Sequence, residues 1–227
     1  MEGTPVRVPV TAPSLEAVLF DLDGTLIDSI ALLMASMRHA FAGFEGEHPT
    51  DADWIAGIGT PLWLQLAAYA RGGAEVEQLR DRYREFQVAN HDRMVSAFPG
   101  TRETLASLAA RGLQMAVVTS KMDAGAIRGL EHTGLAEYIP VVIGADSVTR
   151  HKPDPEPVRV ALERLGVHPA AAVFIGDSPH DVAAGNAAGV ATIAALWGPF
   201  TRKQLAVAAP SHWLSDIREL PALLDRL

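Results

Sequence analysis

The stretch Ala17-Val18-Leu19-Phe20-Asp21-Leu22-Asp23-Gly24-Thr25-Leu26-Ile27-Asp28-Ser29 decides the reading of this chain. Four apolar residues bounded by polar ones read as a short buried strand. Two carboxylates, Asp21 and Asp23, follow it two residues apart, and Gly24 then supplies a bend. Strand side chains alternate, so Asp21 and Asp23 are expected on one side with Leu22 opposed. Carboxylates held close are tolerated when a cation neutralises them or when one keeps a proton. Hard oxygen ligands of this kind suit Mg²⁺, which takes one or two protein carboxylates and completes its shell with water and phosphate.

Further along, Met115–Thr119, Pro140–Ile143, Ala172–Ile175 and Val190–Ala194 read as more buried strands. Thr101–Arg111, Asp123–Thr133, Pro155–Leu165 and Pro179–Ala188 read as helices between them, each followed by a glycine (Gly112, Gly134, Gly166, Gly189) suited to end it. Strand, helix and strand joined by short connectors specify βαβ units, hence an α/β fold with a parallel sheet and helices on both faces. Residues 29–97 break the rhythm. Ile30, Leu33, Met34, Met37 and Phe41, then Val76, Leu79, Tyr83 and Phe86, recur at helical spacing, with no strand-like run between, so a helical module is expected directly after the first strand.

Ligands of open parallel sheets sit beyond the carboxyl ends of the strands. After the second strand comes Thr119-Ser120-Lys121, after the third Lys152-Pro153-Asp154, and after the fourth Gly176-Asp177-Ser178-Pro179-His180-Asp181. Each has a plain structural account: an Asp-rich turn, a helix N-cap at Thr119, Asp177 or Ser178, a solvated lysine. The chain has only three lysines, however, and Lys121 and Lys152 are two of them. The coincidence at four successive strand ends favours chemistry. A cation and a lysine would neutralise a phosphoryl group, a hydroxyl would donate to its oxygens, one carboxylate would attack and another would move protons.

These motifs resemble the haloacid dehalogenase superfamily, in particular its phosphoglycolate phosphatase-like branch. Asp21-Leu22-Asp23-Gly24-Thr25-Leu26, Val117-Val118-Thr119-Ser120, Lys152-Pro153 and Gly176-Asp177-Ser178 through Asp181 stand in that family's order over residues 15–227. The resemblance implies a Rossmann-like core from residues 1–28 and 98–227, residues 1–14 being a loose N-terminal arm, with residues 29–97 an all-helical cap. It implies Asp21 as nucleophile and Asp23 as proton donor and acceptor. Thr119, Ser120 and Lys152 would hold phosphate. Mg²⁺ would be held by the Asp21 carboxylate, the Asp23 carbonyl, Asp177 and Asp181, the last directly or through water. Gly59 and Thr60, in the turn Gly57-Ile58-Gly59-Thr60, are the cap residues expected against substrate, with Arg38, His39 and Gln65 as further candidates. Phosphoglycolate is the first substrate expected; a β-phosphoglucomutase-like mutase and pyrophosphatase, sugar-phosphate phosphatase or nucleotidase activity are the alternatives.

Composition narrows the remaining classes. The 227 residues hold 19 basic and 27 acidic side chains, net −8, and no cysteine. A nucleic-acid partner is not expected from that balance, and thiolate metal sites, disulfides and cysteine nucleophiles are excluded. The uncharged stretch from Val182 to Phe200 contains three glycines and a proline, which suits helix, turn and strand better than a membrane span. Residues 1–14 have no signal-peptide apolar region. A cytoplasmic enzyme of small phosphorylated metabolites, monomer or homodimer, is the expectation. A phosphorylated receiver also uses aspartate, Thr/Ser and lysine, but it lacks the D-x-D spacing and the helical insertion.

Overall fold

The computed structural model describes residues 14–227, so the expected N-terminal arm lies outside the described residues but for its last position. β1 (Ala17–Phe20) leads through β2 (Ile27–Asp28) into four helices, α1 (Ile30–Phe41), α2 (Asp51–Gly57), α3 (Leu62–Ala67) and α4 (Gly73–Met94). β3 (Ser96–Ala97) brings the chain back, and α5 (Thr101–Ala110), β4 (Gln114–Val118), α6 (Asp123–His132) and β5 (Val141–Ile143) follow. Then come α7 (Glu156–Leu165), β6 (Ala172–Gly176), α8 (Pro179–Ala188), β7 (Ala191–Ala195), α9 (Arg202–Ala206), β8 (His212–Leu214) and α10 (Leu220–Leu224).

Six strands form one sheet in the order β5-β4-β1-β6-β7-β8, every pairing parallel. Its sides are set by alternation along the strands. Val18, Phe20, Met115, Val117, Val173 and Ile175 face α5, α6 and α10 through Leu105, Leu130 and Leu220. Ala17, Leu19, Ala116, Val118 and Phe174 face α7 and α8 through Val158, Leu162 and Ala184. β1 lies between β4 and β6, so successive connections leave it in opposite directions, the topological switch point at which such sheets bind ligands.

The five strands and four helices read from sequence are present, with boundaries shifted by one or two residues. β8 was not anticipated, because His212-Trp213-Leu214 lacks the β-branched apolar run that marks the equally short β5. The expectation of no strand between Ser29 and Ala97 needs one correction. Ser96–Ala97 pairs antiparallel with Ile27–Asp28, a two-residue ribbon where the chain leaves the sheet and returns. α1–α4 enclose an apolar core of their own containing Met37, Phe41, Trp54, Leu66, Leu79 and Tyr83, so residues 30–94 pack as a helical layer beside the sheet. Among the described residues, no helix is long and apolar enough to cross a membrane.

Candidate active site

The site begins where β1 and β6 end side by side. Asp21 continues the β1 ladder by donating its N–H to the Ile175 carbonyl at 2.8 Å, which places its carboxylate beside the β6 end that delivers Asp177. Asp181 sits at the third position of α8. There Ser178 caps the helix, its N–H and hydroxyl donating to Asp181 Oδ2 at 3.0 and 2.5 Å while the Asp181 N–H donates back to Ser178 Oγ. The helix cap is therefore present, and it leaves Asp177 outside it.

Asp21, Asp177 and Asp181 are all buried, and one oxygen from each lies within 4.8 Å of the others. Lys152 joins them from below. Its ammonium donates to Asp21 Oδ1 at 2.7 Å, Asp181 Oδ1 at 2.5 Å and the Val118 carbonyl at 3.2 Å, which uses all three of its protons. Three carboxylates thus face one cation. Burial, then the Asp181 carboxylate, pushes Asp21 up to about 7 against the pull of Lys152. Burial, then Asp21 and Asp181, raises Asp177 well above the carboxylate range although Thr25 donates to its Oδ1 at 2.7 Å. Burial alone would lower Lys152, but Asp181 and Asp21 outweigh it and hold its pKa above the usual lysine value.

Asp177 Oδ2 is buried without a hydrogen-bond partner. Backbone crowds it. A Cβ on Gly24, whose φ is +91°, would stand 2.5 Å from that oxygen, and one on Gly198 would also meet it at 2.6 Å. An orphaned carboxylate oxygen, surplus negative charge and a cradle closed to any side chain together fit a small hard cation. This cluster is a site that could hold a metal ion.

Asp23 stands apart from that cluster. β1 stops at Phe20, so strand alternation reaches Asp21 but does not carry Asp23 to the same partners. The Asp23 carboxylate accepts from Ser29 Oγ at 2.6 Å and from the Lys121 ammonium at 2.9 and 3.3 Å. Any bond to a cation would therefore use its carbonyl, as the resemblance has it, and not its side chain. Thr119 extends β4, donating its N–H to Ile143 O at 2.9 Å, and its Oγ1 accepts from Lys121 N at 3.2 Å; it does not cap α6, whose N-cap is Met122. The Ser120 hydroxyl, expected on phosphate, donates instead to the Gly59 carbonyl at 2.6 Å.

Above Asp21, Asp23, Thr119 and Lys121 opens a cavity of about 660 Å³ walled by α3, α4 and the α2–α3 turn. Gly59, Thr60 and Gln65 line it. Gly59 (φ +99°) lies so close to the sheet edge that a Cβ there would reach Ser178 Oγ at 2.7 Å. The Thr60 hydroxyl is turned back onto the Gly57 carbonyl at 2.7 Å. Arg38 and His39 are corrected: Arg38 pairs with Asp51 on the surface, His39 stacks on Phe86 at 5.1 Å, and neither borders the cavity. α1 turns its Leu33 inward instead. The sequence reading missed Thr25, Gly198 and the α4 residues Arg80 and Arg84. It noted Lys121 after β4 without giving it a role.

A parallel sheet that gathers buried aspartates and a lysine at its carboxyl edge, under a helical cap, defines a cap-bearing α/β hydrolase. The model of the haloacid dehalogenase-like hydrolase family matches residues 18–195. The chain is 35% identical to pyrophosphatase PpaX of Bacillus velezensis, over 93% of its own length and 97% of that protein's. The fold is similar to a structure described as a predicted phosphatase from Clostridium acetobutylicum (TM-score 0.83, 26% identity, covering 95% of this chain and 100% of that one). It is similar also to one described as a predicted phosphoglycolate phosphatase from Haemophilus somnus (TM-score 0.82, 24% identity, covering 92% and 97%). The chain belongs to the haloacid dehalogenase-like hydrolase family. It is an enzyme of that family's phosphatase class.

Proposed function

We propose that the protein is a Mg²⁺-dependent phosphatase that hydrolyses a small phosphorylated metabolite through an aspartyl-phosphate on Asp21. The observation that carries this reading is the convergence of Asp21, Asp177, Asp181 and Lys152 beneath a cavity whose floor Asp21 reaches. Asp21 Oδ1 is engaged by Lys152, which leaves Oδ2 to attack phosphorus. As the Asp21 O–P bond forms, the bond to the leaving oxygen breaks and Asp23 gives that oxygen a proton. Asp23 then takes a proton from the water whose oxygen displaces Asp21, which frees the Asp21 carboxylate and returns Asp23 to its protonated form. Thr119 donates to the phosphoryl oxygens, and Lys152 holds Asp21 in place while offsetting charge from below.

Asp21, Asp177, Asp181 and the Asp23 carbonyl are the groups that would hold the cation. When bound, Mg²⁺ supplies the positive charge that three crowded carboxylates and a phosphoryl group lack. Residues 29–97 act as the cap over the core of residues 1–28 and 98–227, excluding water from the cavity. Phosphoglycolate is the substrate that the sequence suggests. Inorganic pyrophosphate is favoured by one specific observation, the name borne by relatives more than 30% identical over nearly the whole chain. The test is phosphate release from phosphoglycolate, pyrophosphate, sugar phosphates and nucleotides, with Mg²⁺ and with chelator. Release abolished by chelation supports the reading; release indifferent to chelation contradicts it.

A further inference from the structure

The cavity is larger and more apolar than either small substrate requires. About 660 Å³ falls within the range, roughly 300–1,000 Å³, of sites that enclose organic ligands. Its floor carries the polar groups of the proposed chemistry. Its walls are Trp54, Leu62, Trp63, Tyr83, Val88 and Met122. Three of these are also among the large apolar side chains left exposed: Trp63 at 50%, Val88 at 61% and Met122 at 43%. Scattered exposed apolar residues need no explanation, whereas several gathered on one concave surface mark a binding site.

Two cations interrupt that apolar wall. Arg80 and Arg84 stand one turn apart on α4 and line the cavity together with Val88, another turn on, which puts the three on one helix face. Arg80 pairs with the adjoining Asp81 at 2.9 Å. Arg84 has no salt bridge or side-chain hydrogen bond among the described residues. In a chain of net charge −8, an exposed arginine that borders the cavity without a carboxylate partner is available to pair with an anion.

We infer that the α4 wall is the leaving-group subsite and that it takes an organic phosphate whose leaving group joins an apolar or aromatic body to a second negative charge. Arg84 reads that charge and Trp63 and Met122 flank the body, while the phosphoryl group lies at Asp21. The inference rests on the phosphatase reading above, whose bond-breaking it leaves unchanged. Inorganic pyrophosphate offers the second charge and nothing for the aromatic wall.

The test compares kcat/KM, with Mg²⁺, for phenyl phosphate, 4-(carboxymethyl)phenyl phosphate, pyrophosphate and phosphoglycolate, in the wild type and in Arg84→Gln, Arg84→Lys and Trp63→Ala. The wild type should favour the carboxymethyl ester over phenyl phosphate and over pyrophosphate by about tenfold or more, the size of one good charge-assisted contact. Arg84→Gln should collapse the preference over phenyl phosphate about tenfold, mainly through KM, and Arg84→Lys should restore part of it. Trp63→Ala should weaken both aryl esters relative to pyrophosphate. An Arg84→Gln enzyme with an unaltered preference, or a wild type that favours pyrophosphate over both esters, would overturn the inference while leaving the phosphatase reading intact. No release from any of the four would overturn the inference, and no release from the sugar phosphates and nucleotides as well would overturn the phosphatase reading with it.

Discussion

The Ser120 hydroxyl and the Gly59 carbonyl, 2.6 Å apart and 61 residues apart in sequence, join the loop after β4 to the turn between α2 and α3. That bond fixes the helical layer against the sheet edge at the mouth of the cavity. Gly59 is held there in a left-handed conformation, with Ser178 where a Cβ would go. Gly59→Ala should therefore cost about 1–3 kcal/mol in backbone strain and displacement, read as a lower thermal midpoint, and should lower kcat as well. Ser120→Ala should cost about 1 kcal/mol, the worth of one hydrogen bond. Equal effects of the two variants on stability would argue against the close approach.

Asp23 and Lys121 form an ion pair with both side chains nearly buried. If Asp23 moves protons, Asp23→Asn should lower kcat by about 10²- to 10⁴-fold, and Lys121→Met, which leaves that carboxylate without its cation, should lower it less. Because the two act as one unit, the double variant should be little worse than Asp23→Asn alone. Strict multiplication of the two losses in steady-state assays would show that they work separately.

The carboxylate cluster sets a pH dependence of stability. Asp21 is pushed up to about 7 and Asp177 well above its usual range, burial being the largest cause for each. The metal-free folded protein thus keeps protons that the unfolded chain releases near its ordinary carboxylate pKa of about 3.9. The Asp21 contribution is complete below that value and is lost as pH rises through about 7. Thermal unfolding with chelator should therefore show stability falling from about pH 4 to about pH 8. Mg²⁺ competes with those protons, so the rise in Tm that it produces should be larger at about pH 8 than at about pH 5.5. A Mg²⁺ effect independent of pH, or none, would contradict the assignment of these carboxylates to the cation.

Lys152 is the only side-chain cation in contact with this cluster among the described residues. Removing one partner of a buried pair typically costs about 3–5 kcal/mol because the remaining charge stays buried. Lys152→Met should show that loss mainly above about pH 7, where Asp21 ionises, and much less in mild acid. Denaturant unfolding at two pH values decides it, and an equal loss at both would mean that Lys152 supports packing alone.

The sheet was legible because its strands are short apolar runs separated by helices that end in glycine. The floor of the site was legible because a parallel sheet projects whatever follows its strands to one edge. Asp21, Asp177, Asp181 and Lys152 meet there although 160 residues separate the first from the last of the aspartates. Alternation set Asp21 and Asp23 on the same cavity with Leu22 in the core, but it carried no sign that the Asp23 carboxylate would pair with Lys121 and not join the other aspartates. The cap was harder to read. Its helices were visible from periodicity, but which face of α4 meets the sheet edge depends on how four helices pack, and no local pattern encodes that. Arg38 and His39 were natural candidates by charge, yet they lie away from the cavity, whereas Arg80 and Arg84 border it.

The central claim is that Asp21 becomes phosphorylated. The direct test is to quench the working enzyme, with Mg²⁺ and a turned-over substrate, in borohydride, which reduces an acyl phosphate and converts that aspartate to homoserine, and to map the product by mass spectrometry. The account predicts homoserine at residue 21 in the wild type, none without substrate, and no turnover by Asp21→Asn. Homoserine at another aspartate, or an Asp21→Asn enzyme that releases phosphate at the wild-type rate, would contradict it.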